Sequence, residues 1–101
     1  MDVIFTLDAD CEFWHEANYY GKIGFELRER FVGSLENTIE QIANYPFLCH
    51  NRGDGIFSVR IKGFPISVFY KIHASYILVV SICHERRDPG VWRSHKKRPT
   101  R

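Results

Sequence analysis

IFSVRIKGFPISVFYKIHASYILVVSICH, residues 56–84, decides the fold. Its first run, Ile56 to Ile61, alternates: Phe57, Val59 and Ile61 fall on one side, Ser58 and Arg60 on the other. A period of two is the pleat of a strand with one buried face. Lys62-Gly63-Phe64-Pro65 follows as a turn, since glycine and proline punctuate regular structure. Ile66 to Ile72 alternates again, with Ile66, Val68, Tyr70 and Ile72 sharing a side. His73-Ala74-Ser75 turns the chain once more, and Tyr76 to His84 is its most apolar segment, as a central strand requires. Three strands joined by short turns make an antiparallel meander.

Upstream the period changes. Val3-Ile4-Phe5 is a short β-type run, and Asp8 offers a helix N-cap with Asp10 and Glu12 in the first turn, where the helix dipole favours acids. Ala9, Phe13, Ala17 and Tyr20 recur at spacings of four, four and three, which predicts a helix over 9–20. Gly21 and Gly24 bracket a turn, and Leu27, Phe31, Leu35, Ile39 and Ile42 form the stripe of a second helix over 25–44. Tyr45-Pro46 ends it, because the residue before a proline is pushed out of helical geometry. Two helices joined by a short glycine turn form an αα-hairpin. Asn51 to Gly55 reads as a loop. The whole is an α+β fold: a small antiparallel sheet, made of the N-terminal strand and the C-terminal meander, with the hairpin packed on one face. The open face is where a partner is expected.

Length and composition fit this. The 101 residues suffice for one domain, and 45% hydrophobic residues suffice for a core without metal or disulfides. No run approaches the roughly 20 apolar residues that span a bilayer. The start of the chain carries no basic segment, and Asp8 and Asp10 interrupt its apolar run, so a secretory signal is not expected. Cys11, Cys49 and Cys83 are odd in number, widely spaced and without a CxxC pair, which fits reduced thiols in a cytoplasmic protein. Cys49-His50 and Cys83-His84 invite a metal site, but neighbours along a strand point to opposite faces, so no metal ligand is assigned. No cofactor motif is present.

The net charge of +2 conceals an asymmetry. Up to Glu85 there are 7 Lys/Arg against 11 Asp/Glu. From Arg86 onward there are 7 Lys/Arg against the single acid Asp88. A basic terminus of this kind attracts phosphate or an acidic protein surface, or simply solubilises a tail. The expected division is a domain over 1–93 and a basic, flexible tail over 94–101.

Several of these segments together resemble a family. Glu16-Ala17-Asn18-Tyr19-Tyr20 resembles the EA-x-x-Y segment of ParE-type toxins. Phe31 to Ile42, closed by Tyr45-Pro46, is similar to their second helix. Val59-Arg60-Ile61 and Phe64 to Tyr70 look like their R…FPY-x-(I/V)-x-Y strand pair, with Ile66 where an aromatic is usual. His84 to Trp92 looks like the closing H-x-RR-x-P-x-x-W motif. The likeness spans residues 9–93 and is to the RelE/ParE superfamily of bacterial type II toxin–antitoxin systems. It implies a growth-inhibiting toxin in a hetero-oligomer with a cognate antitoxin whose disordered tail folds onto it. Some relatives poison DNA gyrase, and others cut mRNA on the ribosome. A third possibility is an inactive member that only binds antitoxin.

An mRNA endonuclease needs a base, an acid and cations that stabilise the charge developing at phosphate. The candidates are His84, Arg60, Lys62, Arg86 and Tyr70. His84 has the side chain that titrates near neutrality, although it could equally hold the turn after its strand. Arg60 could contact phosphate or pair with an acid. Lys62 has no second lysine beside it, so the cation cluster is thin, which favours gyrase inhibition without catalysis. Residues expected to meet a target or partner are Arg86, Arg87, Trp92 and Arg93, with Trp14 and Tyr20 on the first helix, where Trp14 is core or groove. Arg forks suit carboxylate and phosphate, and Trp is a common interface anchor.

Overall fold

The computed structural model describes residues 1–84. Strand β1 (Asp2–Phe5) leads into helices α1 (Leu7–Ile23) and α2 (Phe25–Asn44). A 3-10 turn (Pro46–Leu48) then opens strands β2 (His50–Gly53), β3 (Ile56–Arg60), β4 (Ile66–Ile72) and β5 (Tyr76–His84). The five strands form one sheet in the order β1-β5-β4-β3-β2. The fold is α+β, with the helical hairpin on one face.

Two features of the sheet depart from the sequence reading. β1 joins β5 in parallel, Asp2 opposite Tyr76 and Phe5 opposite Val79, so the sheet is mixed. The expected loop at 51–55 is instead an edge strand and a tight turn. His50 pairs with Ser58 and Asn51 with Phe57, and Gly53, Asp54 and Gly55 then all take positive φ. β2 escapes a pattern search because it is short and buries no apolar face. Its backbone pairing holds it, helped by Asn51 Oδ1 accepting the Gly53 N–H at 2.8 Å.

α1 starts earlier than expected because Thr6, not Asp8, caps it. Thr6 is extended, and its hydroxyl accepts the Ala9 N–H at 3.1 Å. The same residue donates its own N–H to Val79 O at 3.0 Å. The strand-to-helix junction is thereby pinned to β5, and Asp8 and Asp10 fall within the first turn. Gly21 belongs to α1, and the junction is Gly24 alone, which ends one helix and begins the next. A Cβ on Gly21 would sit 3.4 Å from Arg28 Cδ, an ordinary contact with a flexible side chain, so the pairing of the helices does not require glycine there.

The core lies between hairpin and sheet. Phe31 is fully buried, its ring 5.0 Å from Tyr20 and 5.2 Å from Phe64. Ile66, Val68, Tyr70, Ile77 and Val79 join the same cluster, as the alternation of the strands requires. A β-bulge interrupts β5: Phe69 faces Ser81 while Tyr70 faces Val79, leaving Val80 as the extra residue. Val79 and Ile82 therefore share the helix side although three residues apart, and Leu78, Val80 and Cys83 form a second cluster with Ile56 and Phe69 on the other side.

Candidate functional site

The strand register decides which candidate residues meet. His84 lies opposite Ile66, and Ile66 O accepts the Ile61 N–H at 2.9 Å. Ile61 and Ile66 belong to the helix-side core, so this row runs on that face. Arg60 lies one row along, opposite Ser67, which itself faces Cys83. Arg60 and His84 therefore point to opposite faces of the sheet. Tyr70 is four residues from Ile66 along β4, about 13 Å at the usual rise.

Tyr70 is closed off as well as distant. It is fully buried, its ring stacks on Phe57, and its hydroxyl donates to Pro46 O at 2.7 Å. Burial, reinforced by a hydrogen bond with the Cys49 thiol, holds that hydroxyl well above the ordinary tyrosine range. It fastens the turn after α2 to the middle of the sheet and is not offered to a substrate. Arg60 spends its Nε on Phe64 O at 3.0 Å, which clamps the β3–β4 turn. Lys62 is exposed within that turn, and His84 is exposed at the end of β5. Arg86, Arg87, Trp92 and Arg93, with the tail at 94–101, lie outside the described residues.

The two expected contact residues on α1 separate. Trp14 is 49% exposed, set edge-on against Phe13 and capped by the Arg28 guanidinium 5.9 Å from the ring centre. It is a surface aromatic, available to a partner. Tyr20 is only 8% exposed because it packs among Phe31, Phe64 and Tyr19, so it serves the core and not an interface. Burial, then the nearby Glu16 charge, raises its hydroxyl pKa.

Two features of the structure have no counterpart in the sequence reading. The first is Glu12. Its carboxylate accepts the Ser81 hydroxyl at 2.9 Å and the Ile82 N–H at 3.0 Å, directly after the bulge in β5. It closes backbone that β1, ending at Phe5, does not reach. The second is the turn after α2, where Tyr45, Phe47 and Leu48 are all exposed, Leu48 to 80%. Three large apolar residues around Pro46 were a visible signal, but one without a period. Among the described residues no group of three or more His, Cys, Asp or Glu is arranged to hold a metal. No described helix is long and apolar enough to cross a membrane.

The match to protein families follows this architecture. Residues 3–89 match the model of the ParE toxin of the type II toxin–antitoxin system parDE. Two solved structures are similar in fold. One, described as the chromosomal ParDE toxin–antitoxin system from P. aeruginosa, superposes with a TM-score of 0.72 at 15% identity, covering 83% of this chain and 95% of that one. The other, a YoeB/ParE toxin from Agrobacterium tumefaciens, gives 0.59 at 19% identity, covering 84% and 99%. No curated protein matches by sequence.

Proposed function

This chain belongs to the ParE toxin family of type II toxin–antitoxin systems, and from that membership we propose that it is the toxin of such a pair, neutralised by a cognate antitoxin and, once released, inhibiting DNA gyrase in the cytoplasm without catalysis of its own. The observation that carries this reading is the dispersal of the nuclease candidates. Arg60 and His84 point to opposite faces, and the Tyr70 hydroxyl is buried on Pro46 O. In-place acid–base work needs groups within hydrogen-bond reach of one reacting centre. Binding a target needs only surface, and the exposed Trp14 and the apolar turn at Tyr45, Phe47 and Leu48 supply it.

The antitoxin half of the proposal is supported by the description of the P. aeruginosa relative as a ParDE system. The test is gyrase supercoiling of relaxed plasmid with the purified full chain titrated in. Loss of supercoiling, or accumulation of cleaved plasmid, reversed by the antitoxin, is the expected result. Gyrase untouched at large molar excess of folded protein refutes it and moves ribosome-dependent mRNA cleavage to first place.

A further inference from the structure

The helices cover one face of the sheet, so alternation predicts polar residues on the other. That other face is apolar and buried instead. Residues 66–70 of β4 and 77–83 of β5 are buried without a break. Ile56, Phe69, Leu78, Val80 and Cys83 form the far-side cluster, and it contains no residue of α1 or α2. Phe69 is only 1% exposed. Burying an aromatic side chain removes about 150–250 Å² from water. Among the described residues the Arg52 guanidinium lies over that ring, 5.7 Å from its centre, and one guanidinium is too small to seal it. No described helix or strand lies over this face. The neighbours of Phe69 are small. Ser58 on β3 and Ser81 on β5 share its row, and Ser67 and Cys83 the next. All four are buried as well. They make a shallow bed beside the ring, where a large side chain can rest on backbone and small groups.

The length of chain beyond β5 is enough to cover it. β5 ends at His84, one residue after Cys83, and seventeen residues follow, 85–101. They leave the sheet at the margin of the bed. The four strands from β5 to β2 span about 14 Å at a spacing of about 4.8 Å, whereas the eight residues from His84 to Trp92 reach up to about 26 Å. Asp88-Pro89-Gly90 supplies turn-forming residues on the way. Val91-Trp92 then follows as the main apolar group of the segment. Charge favours the same path. α1 carries Asp8, Asp10, Glu12 and Glu16 against Lys22 alone. A cleft of about 400 Å³ lined by Glu12, Glu16, His15 and Ile82 opens where β5 runs out. Arg86 and Arg87 come two and three residues after His84, within about 10 Å of it. A tethered segment also meets its face at an effective concentration of about millimolar, so modest contacts suffice.

We infer that the far face of the sheet is the docking site of this chain's own residues 85–101, with Trp92 resting on the bed beside Phe69 and with Arg86 and Arg87 paired to Glu12 and Glu16. The inference does not depend on the toxin reading. It changes the role of Trp92: a side chain expected at a target interface becomes part of a second core, and the cations from Arg93 onward are what remains for a partner. A second copy of the chain is the less suitable cover. Each body up to Glu85 carries 7 Lys/Arg against 11 Asp/Glu, so two bodies repel, whereas the segment from Arg86 carries 7 Lys/Arg against Asp88 and is drawn to its own body.

The test uses the full chain carrying Trp14→Phe, which leaves Trp92 as its single tryptophan. Trp92 is expected to emit at shorter wavelength than in the urea-unfolded chain and to be quenched less by acrylamide. In the chain labelled with 13C and 15N, NOEs are expected from the Trp92 indole to Phe69 and Val80. Trp92→Ala should shift the signals of Phe69, Val80 and Cys83 and leave those of Ala17 and Phe31 in place. Arg86→Glu with Arg87→Glu should open Trp92 to acrylamide. If Trp92→Ala fails to fold, the emission, quenching and NOE measurements on the native segment still decide. The inference is overturned if Trp92 emits and quenches as it does in urea, or if it is shielded but no NOE reaches Phe69 or Val80. It is also overturned if the shielding is lost on dilution together with a dimer seen in sedimentation, which would give the face to a second copy. Unchanged quenching in the arginine double variant overturns the pairing with Glu12 and Glu16. None of these readouts involves gyrase or growth.

Discussion

Replacing Tyr70 by phenylalanine distinguishes a structural hydroxyl from a chemical one. The variant keeps the ring and its stacking on Phe57 at 5.7 Å, and removes only the donor to Pro46 O at 2.7 Å. A neutral hydrogen bond of this kind is worth about 0.5–1.5 kcal/mol net, and a buried carbonyl left without its donor raises the loss toward about 3 kcal/mol. The structure thus calls for a destabilisation of about 1–2 kcal/mol, equivalent to roughly 5–15 °C in Tm for a domain of this size. Urea unfolding followed by tryptophan fluorescence measures it. Growth inhibition on induced expression, normalised to soluble protein, should be unchanged. An unaltered urea midpoint would show that the bond does not hold the turn. Lost growth inhibition with stability intact would show that the hydroxyl acts chemically, and the argument from its burial would fail.

Phe31→Ala, in the fully buried aromatic cluster, should cost about 3–5 kcal/mol, read as a collapse of soluble yield and Tm; a loss below about 1 kcal/mol would contradict the packing. Glu12→Ala strands the Ile82 N–H and should cost about 1–3 kcal/mol, with faster exchange of that amide in NMR. An unchanged exchange rate would mean that the carboxylate is not its acceptor. Stability should fall at alkaline pH, because Tyr20 and Tyr70 are held above their unfolded value near 10. Below that value both states are protonated and the contribution is complete. Above it the unfolded chain releases protons first, and stability drops by up to about 1.4 kcal/mol per pH unit per tyrosine. Urea midpoints from pH 8 to 11 check this, and a flat profile counts against it. His84→Ala, at an exposed strand end, should leave growth inhibition in place; its loss in a folded protein would point to RNA cleavage.

What was legible in the sequence is what periodicity reports. The α2 stripe buries one face and so keeps its period in the residues themselves, while β4 and β5, buried on both faces, show as apolar runs between turns. β1 shows its β character but not its partner, since parallel pairing to β5 depends on where two distant segments meet. β2 is invisible because His50 to Gly53 buries no apolar face and is held by its backbone. The candidate site suffered from the same gap. Arg60, Tyr70 and His84 look alike as polar residues on strands, and only the register shows that one faces away and one is sealed under the hairpin. Glu12 looked like a helix-start acid, and its second role depends on a bulge in β5 that no local pattern marks.

The treatment of the sheet's two sides carries the last step. Unpaired strand backbone invites pairing with other chains, and folds usually blunt it. Here the open stretch of β5 is blunted from within, by the Glu12 carboxylate on the Ile82 N–H. The open stretch of β3 at Arg60 is not blunted: the turn beside it exposes Phe47 and Leu48, and the cleft around it gathers cations without a carboxylate among its described lining. In a protein that works alone this combination is an aggregation hazard. The outer edge of β2, the last strand of the sheet, is open too, and it is blunted by its length of four residues and by the lack of any large apolar side chain on it.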